Sequence, residues 1–524
     1  MVTPYGIKFS VHIITSHFGN LVAKVCEKLL TRGPLTLQLL IRFTELNSLQ
    51  VKNSLLILIQ HNCVQAFSAE ESGGIANKQT PTQYLVLFDN ILHRLRFPKF
   101  LEIVAQELDE NCAELLEGLL QHGRLTQEQI YERAKSIKSG DCADQSGVQE
   151  HFRKLVNDRF IERCPAPEPF IAESTPEETP AKKRGAKATK LVEVKKTLEQ
   201  RVLEEAAVME AQRFSIMEDL ETDIDAEKSK DSSSIVRLGE KRKGDLLELD
   251  GDFSFNNKEV TLWRANFEEF LRCLRHKACV ESVRARLDDG AAIVLKALLK
   301  ATRGAEKKVK MENSVPLSLD SIFEEVMKSE AGRTMTLDRV RASLDQLGCP
   351  SSMGIDDSYS IDLKKIIELS QNEEVESIVL NRYGRDGYRV FRLLSKAGHL
   401  LETDKISEMT FVEKKDTPKI LYKLWQDEYL HMEKMVVNTK QFLLWKVNKS
   451  ILCEHVLDEM YHAALNLSLR STHEMEQHKE LLNLPAGQCT GPMEKKRLWL
   501  RSVRIYLVSS LLKLDDAIML FHDF

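Results

Sequence analysis

Short amphipathic helices followed by a β-like ribbon recur along this chain, and this unit limits the possible folds more than any other feature. In the first copy, the pattern predicts helices at residues 22–30, 35–43 and 51–61. Two β-like runs follow at residues 63–67 and 83–88, separated by a tip rich in Gly, Ser and Asn. Three helices followed by a two-stranded ribbon is the plan of a winged helix, a variant of the helix-turn-helix.

Similar units recur at intervals of roughly 80 to 100 residues, which is typical of tandem domains rather than of a solenoid of short repeats. The 524 residues are also too many for a single hydrophobic core. We therefore predict a mainly α fold of tandem extended winged-helix domains followed by a C-terminal antiparallel helical hairpin or coiled coil. The predicted segments are winged helix 1 at 1–88, winged helix 2 at 89–164, a charged, largely disordered insertion with a possible helix at 165–257, winged helix 3 at 258–363, winged helix 4 at 364–433 and the hairpin at 434–524.

The insertion is predicted from its composition. Pro, Glu, Thr, Ala and Lys dominate residues 165–190, a bias typical of segments that bury too little apolar surface to fold. Residues 191–226 have the pattern of a charged, solvated helix. Order is predicted to restart with an amphipathic helix at residues 258–274.

The C-terminal hairpin is predicted from two apolar stripes. One runs from Leu452 to Leu467, and the other keeps heptad spacing from Leu500 to Phe521. Pro and Gly between them favour a turn, so the two helices are expected to run antiparallel. The stripes offer more apolar surface than two helices need to cover each other, which predicts a docking stalk. We expect that deleting the chain from Glu494 onward would leave the upstream units folded.

Charge and cysteine usage restrict the classes of function. The formal net charge is −5, whereas a free-standing DNA-binding protein has a basic field over the phosphates. Any contact with DNA is therefore expected to use local basic patches, together with partner proteins. The ten cysteines include no CxxC pair, which favours reduced thiols in a cytosolic or nuclear protein. The apolar runs are too short to span a bilayer, so no membrane role is predicted.

The chain lacks the patterns of common catalytic and metal sites. Three possible ligands between Cys273 and Cys279 share one predicted helix, but they fan out too widely for tetrahedral zinc. The segment from His473 to His478 resembles the HExxH motif of zinc proteases with one residue too many. Phosphate-binding glycine loops and a GxSxG motif are missing. The sequence therefore predicts no enzyme, no cofactor, and no catalytic, cofactor-binding or metal-binding residues.

Basic residues on the helical units are the remaining candidates for a functional surface. A solvated helix face is the ordinary explanation of such charges, and phosphate contact is the functional one. The candidate DNA contacts are Lys135, Lys138, Arg153, Lys154, Arg333, Arg339, Arg341, Arg385 and Arg389. Two basic clusters in segments predicted to be flexible suit nuclear import signals. They are Lys182, Lys183, Arg184 and Lys241, Arg242, Lys243.

Two stretches carry a resemblance to a known family. The opening unit, from Tyr5-Gly6 to Phe88, is similar to the N-terminal helix-turn-helix of the TFIIE-like, winged-helix subunit of RNA polymerase III. Residues Asn381 to Leu394 resemble the start of that family's last winged helix, and residues 398–406 continue it. The order of two winged helices, a charged insertion, two winged helices and a hairpin extends the resemblance over nearly the whole chain.

This resemblance implies a nuclear, non-catalytic subunit of DNA-directed RNA polymerase III. It implies a role in transcription initiation of small untranslated RNA genes (transfer RNA and 5S ribosomal RNA) by promoter opening. The implied partners are two sister subunits of the initiation heterotrimer, the clamp of the largest subunit, the promoter-bound initiation factor and promoter DNA. The family offers no catalytic residue to carry over to this sequence.

Two alternatives stand beside this interpretation. A scaffold of winged helices in another nuclear assembly, such as a ubiquitin-ligase-type or signalosome-type complex, would have the same helical pattern. An enzyme of a different class, a metal-dependent hydrolase, would use His473, Glu474 and His478.

Limited proteolysis of the full chain is expected to cut first between residues 165 and 250. The prolines and charges there cannot bury enough apolar surface to offset the entropy of ordering the chain. Mapping the earliest fragments by mass spectrometry measures this. First cuts within residues 22–108 would contradict the domain map.

Overall fold

The computed structural model of the protein is mainly helical, with four small sheets in the part of the chain that it describes. The described residues are 2–69, 81–137, 145–171, 196–216, 261–306, 308–349, 358–437, 440–483 and 491–524. Among them, no helix combines the length and the apolar character that crossing a membrane requires.

The regular elements of the described residues are as follows. The helices are α1 Pro4–Phe18, α2 Asn20–Arg32, α3 Leu37–Thr44, α4 Ser48–Gln60, α5 Phe88–Glu107, α6 Glu110–His122, α7 Gln127–Ile137, α8 Gln145–Asn157, α9 Leu198–Ala206, α10 Glu210–Arg213, α11 Phe267–Arg286, α12 Asp289–Thr302, α13 Leu319–Lys328, α14 Leu337–Gln346, α15 Leu363–Ala397, α16 Thr403–Thr410, α17 Thr417–Gln426, α18 Lys449–Gln477, α19 Lys479–Asn483 and α20 Pro492–His522. The strands are β1 Leu35–Thr36, β2 Val64–Ala69, β3 Thr82–Val86, β4 Leu125–Thr126, β5 Ile161–Arg163, β6 Phe170–Ile171, β7 Leu262–Ala265, β8 Leu317–Ser318, β9 Ser358–Tyr359, β10 Leu401–Glu402, β11 His431–Val437 and β12 Lys440–Lys446.

The chain forms two compact units. Unit one consists of residues 1–31, 91–96 and 268–524, and unit two of residues 32–90 and 97–267. Unit one holds the two-stranded sheet β8-β9 and the three-stranded sheet β10-β12-β11. Unit two holds the sheets β1-β3-β2-β6 and β4-β7-β5.

Local side-chain caps start several helices where the sequence places them. Thr126 Oγ1 accepts a hydrogen bond from the Gln129 N–H at 3.2 Å, and Gln129 Oε1 accepts one from the Thr126 N–H at 3.1 Å. The capping box predicted there is thus confirmed. Asn47 and Gln50 form a second reciprocal box at the start of α4. These pairs satisfy backbone N–H groups that have no partner within the helix.

The helix predicted at residues 258–274 is wrong at its start, where the structure has strand β7. Residues 262–265 pair antiparallel with β5, with Ile161 opposite Ala265, and helix α11 begins only at Phe267. The Trp263 side chain is buried and meets the Phe152 ring edge-on at 5.2 Å. The apolar spacing of this segment also fits a strand with one buried face, and a partner strand about one hundred residues upstream in sequence decided between the two.

Part of the predicted insertion is packed into unit two. Strand β6 pairs in parallel with β2, with Ser68 opposite Phe170. Val202 of α9 is fully buried in a cluster with Phe67 and Leu85. The charged, solvated helix predicted at residues 191–226 is therefore wrong in its bounds and its burial, because α9 covers only Leu198–Ala206 and contributes Val202 to a core.

In unit one, the buried Arg96 binds the end of the last helix. Its Nε lies 3.0 Å from Asp515 Oδ1, and its Nη1 lies 2.7 Å from Asp523 Oδ2. Burial by itself would lower the pKa of this guanidinium, but Asp523 and Asp515 outweigh burial and raise it. Arg96 is therefore charged at any physiological pH, and α5 and α20 are held together by a buried ion triad.

Helix α20 also packs on other parts of unit one. It runs along α18, where the His522 ring lies 6.3 Å from the Tyr461 ring. Leu520 and Phe524 pack against the hydrophobic core around Leu295. These contacts argue against the expectation that the chain can be cut at Glu494 without effect upstream, because Arg96 would lose both carboxylates.

Helix α1 contacts α18 at its start and in its middle. The Tyr5 N–H donates to Asp458 Oδ1 at 2.8 Å, and the Tyr5 ring stacks on His462 at 4.0 Å. Farther along, His12 Nε2 lies 2.9 Å from Ser468 Oγ. Helix α18 is therefore contacted by both α1 and α20, so the N and C termini of the described chain belong to one core.

Replacing Arg96 with Leu is expected to lower the free energy of unfolding by about 3–5 kcal/mol, because two buried carboxylates would lose their cation. Urea denaturation followed by circular dichroism measures the change. The matched control is Arg284→Leu, which breaks the exposed pair with Asp289 at 3.1 Å. That control should cost under about 1 kcal/mol. Equal effects of the two variants would contradict the importance of the triad.

Candidate nucleic-acid interface

Residues 363–446 of unit one form a helix-turn-helix with a ribbon. The C-terminal part of α15 packs on α16 and α17. Strand β10 joins the ribbon β11-β12. Leu401 lies opposite Trp445, whose Nε1 donates to Thr403 Oγ1 at 2.9 Å. Leu421 and Leu424 turn the inner face of α17 into the core. The outer face of α17 is therefore held in a fixed orientation toward solvent.

Two tyrosines support the C-terminal end of α17. Tyr383 Oη donates to Asp427 at 2.6 Å, and Tyr429 Oη donates to Glu459 at 2.7 Å. Burial, followed by these carboxylates, raises the pKa of both hydroxyls, so they remain protonated donors. Arg382 also binds Glu459 at 2.7 Å. The helix end is thus fixed by charged hydrogen bonds, and Lys423 Nζ of the outer face lies 5.5 Å from the centre of the Tyr383 ring.

The outer face of α17 and the turn before it combine lysines with exposed aromatic rings. Phe411 stands in the turn with a left-handed backbone (φ 56°), and 91% of its surface is exposed. Tyr422 and Trp425 are exposed as well, with ring centroids 5.5 Å apart. The lysines of this surface are Lys414, Lys415, Lys419 and Lys423. We call these seven residues the α17 surface.

The ion pairs on the α17 surface are weak. Lys419 lies 2.9 Å from Asp416, and Lys414 lies 3.9 Å from Glu408, with both lysine side chains more than two-thirds exposed. Exposed pairs of this kind contribute about 0–1 kcal/mol and exchange readily for another anion. Lysines next to exposed rings are what a strand of nucleic acid requires, because phosphates bind the cations and bases stack on the rings.

The corresponding helices elsewhere in the described chain present different surfaces. Helix α4 exposes apolar side chains, with Leu49 67% and Leu56 65% exposed. On α8, Lys154 lies between Glu150 at 3.2 Å and Asp109 at 3.7 Å. On α14, Arg339 lies 2.6 Å from Asp288. Helix α4 therefore presents an apolar face, and α8 and α14 each have a basic residue that is paired with an acidic one.

The structure distributes the DNA-contact residues predicted from sequence over several elements. Arg153 and Lys154 share α8, Arg339 and Arg341 share α14, and Arg385 and Arg389 share α15. Arg333 is exposed between α13 and α14. Arg389 lies 3.5 Å from Asp386. The Lys135 side chain, Lys138 and both predicted import clusters, Lys182 to Arg184 and Lys241 to Lys243, lie outside the described residues.

The α17 surface was missed in the sequence, although a signal was present. Lys415, Lys419 and Lys423 recur every four residues, and Tyr422 and Trp425 lie on either side of Lys423. This interleaving of basic and aromatic residues on one helix is typical of nucleic-acid surfaces. What the sequence could not show is that Tyr422 and Trp425 point outward, because other aromatic residues of this domain, such as Phe391, Tyr429 and Trp445, are buried.

The residues of the hydrolase alternative have other partners. Glu474 is buried and lies 2.5 Å from Arg470, and His473 is exposed on the same helix. His276, from the rejected cysteine-histidine segment, lies 3.1 Å from Glu306 Oε1. Neither arrangement favours a metal-activated water.

Comparison with known proteins shows similarity to RNA polymerase III subunits along most of the chain. The family model of RNA polymerase III subunit RPC82 matches residues 150–417, and the model of the RPC82 helix-turn-helix domain matches residues 8–69. The human DNA-directed RNA polymerase III subunit RPC3 is 23% identical over 507 residues, covering 92% of this chain and 86% of the relative. The Dictyostelium discoideum subunit rpc3 is 22% identical and covers 99% of this chain and 100% of the relative. The Danio rerio RPC3 subunit is 24% identical over 92% of this chain and 86% of the relative.

Proposed function

The chain belongs to the RNA polymerase III subunit RPC82 family, and from this premise we propose that it is a non-catalytic subunit of DNA-directed RNA polymerase III. It acts in transcription initiation of small untranslated RNA genes, by helping to open promoter DNA and by binding the initiation factor. The similarity to RPC3 subunits along more than nine-tenths of the chain carries this proposal and favours it over a ubiquitin-ligase-type scaffold.

We propose that the protein is organised as tandem winged helices followed by a helical hairpin. Strand pairing favours two changes to the bounds predicted from sequence. The second winged helix would include β7, because this strand pairs with β4 and β5. The fourth would extend to residue 447, because β11 and β12 share a sheet with β10. The hairpin would then consist of α18 and α20.

Among the described surfaces, we assign promoter DNA to the α17 surface. Four lysines can neutralise phosphates, and three exposed rings offer faces on which unpaired bases stack. Stacking needs bases that have left the duplex, so this surface suits the strands of an opened promoter. The other basic residues, including Arg153, Arg333 and Arg341, serve as secondary phosphate contacts.

We propose that α20 docks on other polymerase subunits. Its outer face exposes Leu498, Trp499, Ile505 and Tyr506, which repeat at seven-residue spacing along one side of the helix. Large exposed apolar residues in a contiguous stripe mark protein–protein contacts. Its partners would be the two sister subunits of the heterotrimer and the clamp of the largest subunit. The protein would accordingly work in the nucleus.

Isolated full-length protein is expected to bind single-stranded DNA weakly, with affinity falling steeply between low and physiological salt. Changing Lys415, Lys419 and Lys423 together to Gln should reduce the slope of log affinity against log salt by about 2, at roughly 0.7 for each lost phosphate contact. Changing Tyr422 and Trp425 to Ala should weaken binding at least about fivefold, since one stacked base contributes about 1–3 kcal/mol. Fluorescence anisotropy at several salt concentrations measures both effects.

The control for this experiment removes the same charge elsewhere. Arg153→Gln, Arg333→Gln and Arg341→Gln also remove three positive charges, without touching the α17 surface. A larger loss in this control than in the lysine variant would move the DNA site to the other winged helices. Nanomolar sequence-specific binding to duplex DNA at physiological salt would contradict the proposed dependence on partners.

Replacing Trp499, Ile505 and Tyr506 with Ser is expected to weaken co-purification with RNA polymerase III subunits several-fold. These side chains are exposed, so the melting temperature should stay close to that of the wild type. The matched control is Leu49→Ser with Leu56→Ser, an equally exposed apolar pair on α4. Quantitative mass spectrometry of nuclear purifications measures association. Wild-type association of the α20 variant would rule out this face as a principal dock.

A further inference from the structure

Three residues with different donor atoms meet in unit two, away from the surfaces described above. Asp109 is the N-cap of α6, Cys112 stands in the first turn of that helix, and His151 lies on α8. Their ligand atoms all lie within 4.8 Å of one another. The sequence does not predict this group, because His151 is 39 residues from Cys112 and the spacing matches no metal-binding motif.

The distances between these atoms suit a tetrahedral ion. Bonds of about 2.0–2.3 Å to zinc place two ligands of a tetrahedral site about 3.4–3.6 Å apart. His151 Nδ1 lies 3.4 Å from Asp109 Oδ2 and 3.8 Å from Cys112 Sγ. An ion at the centre of the trio would therefore need only shifts of a few tenths of an ångström at these two edges.

The side chains are held in this arrangement by the fold. Asp109 Oδ1 accepts a hydrogen bond from the Cys112 N–H at 2.7 Å, which orients the carboxylate and leaves Oδ2 toward His151. Cys112 is fully buried, and Phe152, next to His151, is fully buried as well. The donor atoms are thus positioned by helix capping and core packing, as preorganised metal ligands are.

The surroundings leave room for a fourth ligand. Asp109 and His151 are partly exposed, so solvent can supply a water molecule as the fourth ligand. The Lys154 ammonium lies 3.7 Å from Asp109 Oδ2, but it also lies 3.2 Å from Glu150. Lys154 can keep Glu150 when a cation takes its place beside Asp109.

Catalysis by the thiol does not explain the group. Cys112 is fully buried, and buried cysteines of this kind are inert as nucleophiles. Its weak hydrogen bond to the His151 carbonyl oxygen, at 3.6 Å, does not account for the convergence of the imidazole and the carboxylate.

We propose that Asp109, Cys112 and His151 bind one zinc ion, with water as the fourth ligand. One sulfur, one nitrogen and one oxygen donor suit zinc better than magnesium or calcium, which prefer oxygen ligands throughout. The ion ties the start of α6 to α8, the first and third helices of one predicted winged helix. Its role is to stabilise that domain, because both helices supply ligands and the metal would bind only their folded arrangement.

The test uses full-length protein, purified without chelators and with any affinity tag removed. Elemental analysis should find close to one zinc per chain in the wild type. After chelation, adding zinc should raise the melting temperature. Cobalt in place of zinc should give the thiolate-to-metal charge-transfer absorption of a cysteine ligand. The variants Cys112→Ser and His151→Gln should each lose the zinc and the temperature shift, and Cys112→Ser should also lose the cobalt band.

The matched control is Cys453→Ser, a partly buried cysteine on α18 with no place in the group. It should keep the zinc, the temperature shift and the cobalt band. Because Cys112→Ser can disturb the core, His151→Gln and Asp109→Asn serve as variants at partly exposed positions, and Asn keeps the helix cap. Absence of stoichiometric zinc, or equal zinc binding by His151→Gln and the wild type, would overturn the proposal.

Discussion

The stability of unit one depends on the neutralisation of a positive charge that is buried in its core. Arg96 is fully buried, and the carboxylates that neutralise it come from Asp515 and Asp523, more than four hundred residues later in the chain. A buried ion without its partner costs several kcal/mol, so the end of α20 must be in place for the core to be stable. The last helix is therefore a structural part of the unit, and the docking surface proposed for it lies toward its opposite end.

The presence of an acidic partner also distinguishes some basic residues of the other helices from the lysines of the α17 surface. Arg339 with Asp288 and Lys154 with Asp109 and Glu150 already have partners supplied by neighbouring elements. On the α17 surface, the ion pairs of Lys414 and Lys419 are exposed and weak, and the rings beside the lysines are exposed at a cost in free energy. The opened DNA strand that we propose as the ligand of this surface would cover the rings in the assembly. The similar helices differ in chemistry: α4 exposes apolar side chains, α8 and α14 each pair a basic residue with an acidic one, and α17 is basic and aromatic.

Sequence patterns predicted local features well. The capping box at Thr126 and the two long C-terminal helices follow from interactions within a few residues of one another. The errors lie where distant residues decide. Residues 262–265 form a strand because β5 offers an edge, and α9 is partly buried because Phe67 and Leu85 offer a surface. A single sequence contains no sign of such pairings, since strand and helix patterns coincide over short apolar runs.

By itself, the sequence determined the class of the protein: a mainly helical chain, acidic overall, whose patterns predict repeated helix-turn-helix units and no enzyme motif. These properties depend on periodicity and composition, which are local. Only the tertiary structure decided which face of each helix meets solvent, that Arg96 finds its carboxylates at the C terminus, and that Asp109, Cys112 and His151 converge. Burial and convergence are properties of residues far apart in the chain, and packing alone brings them together.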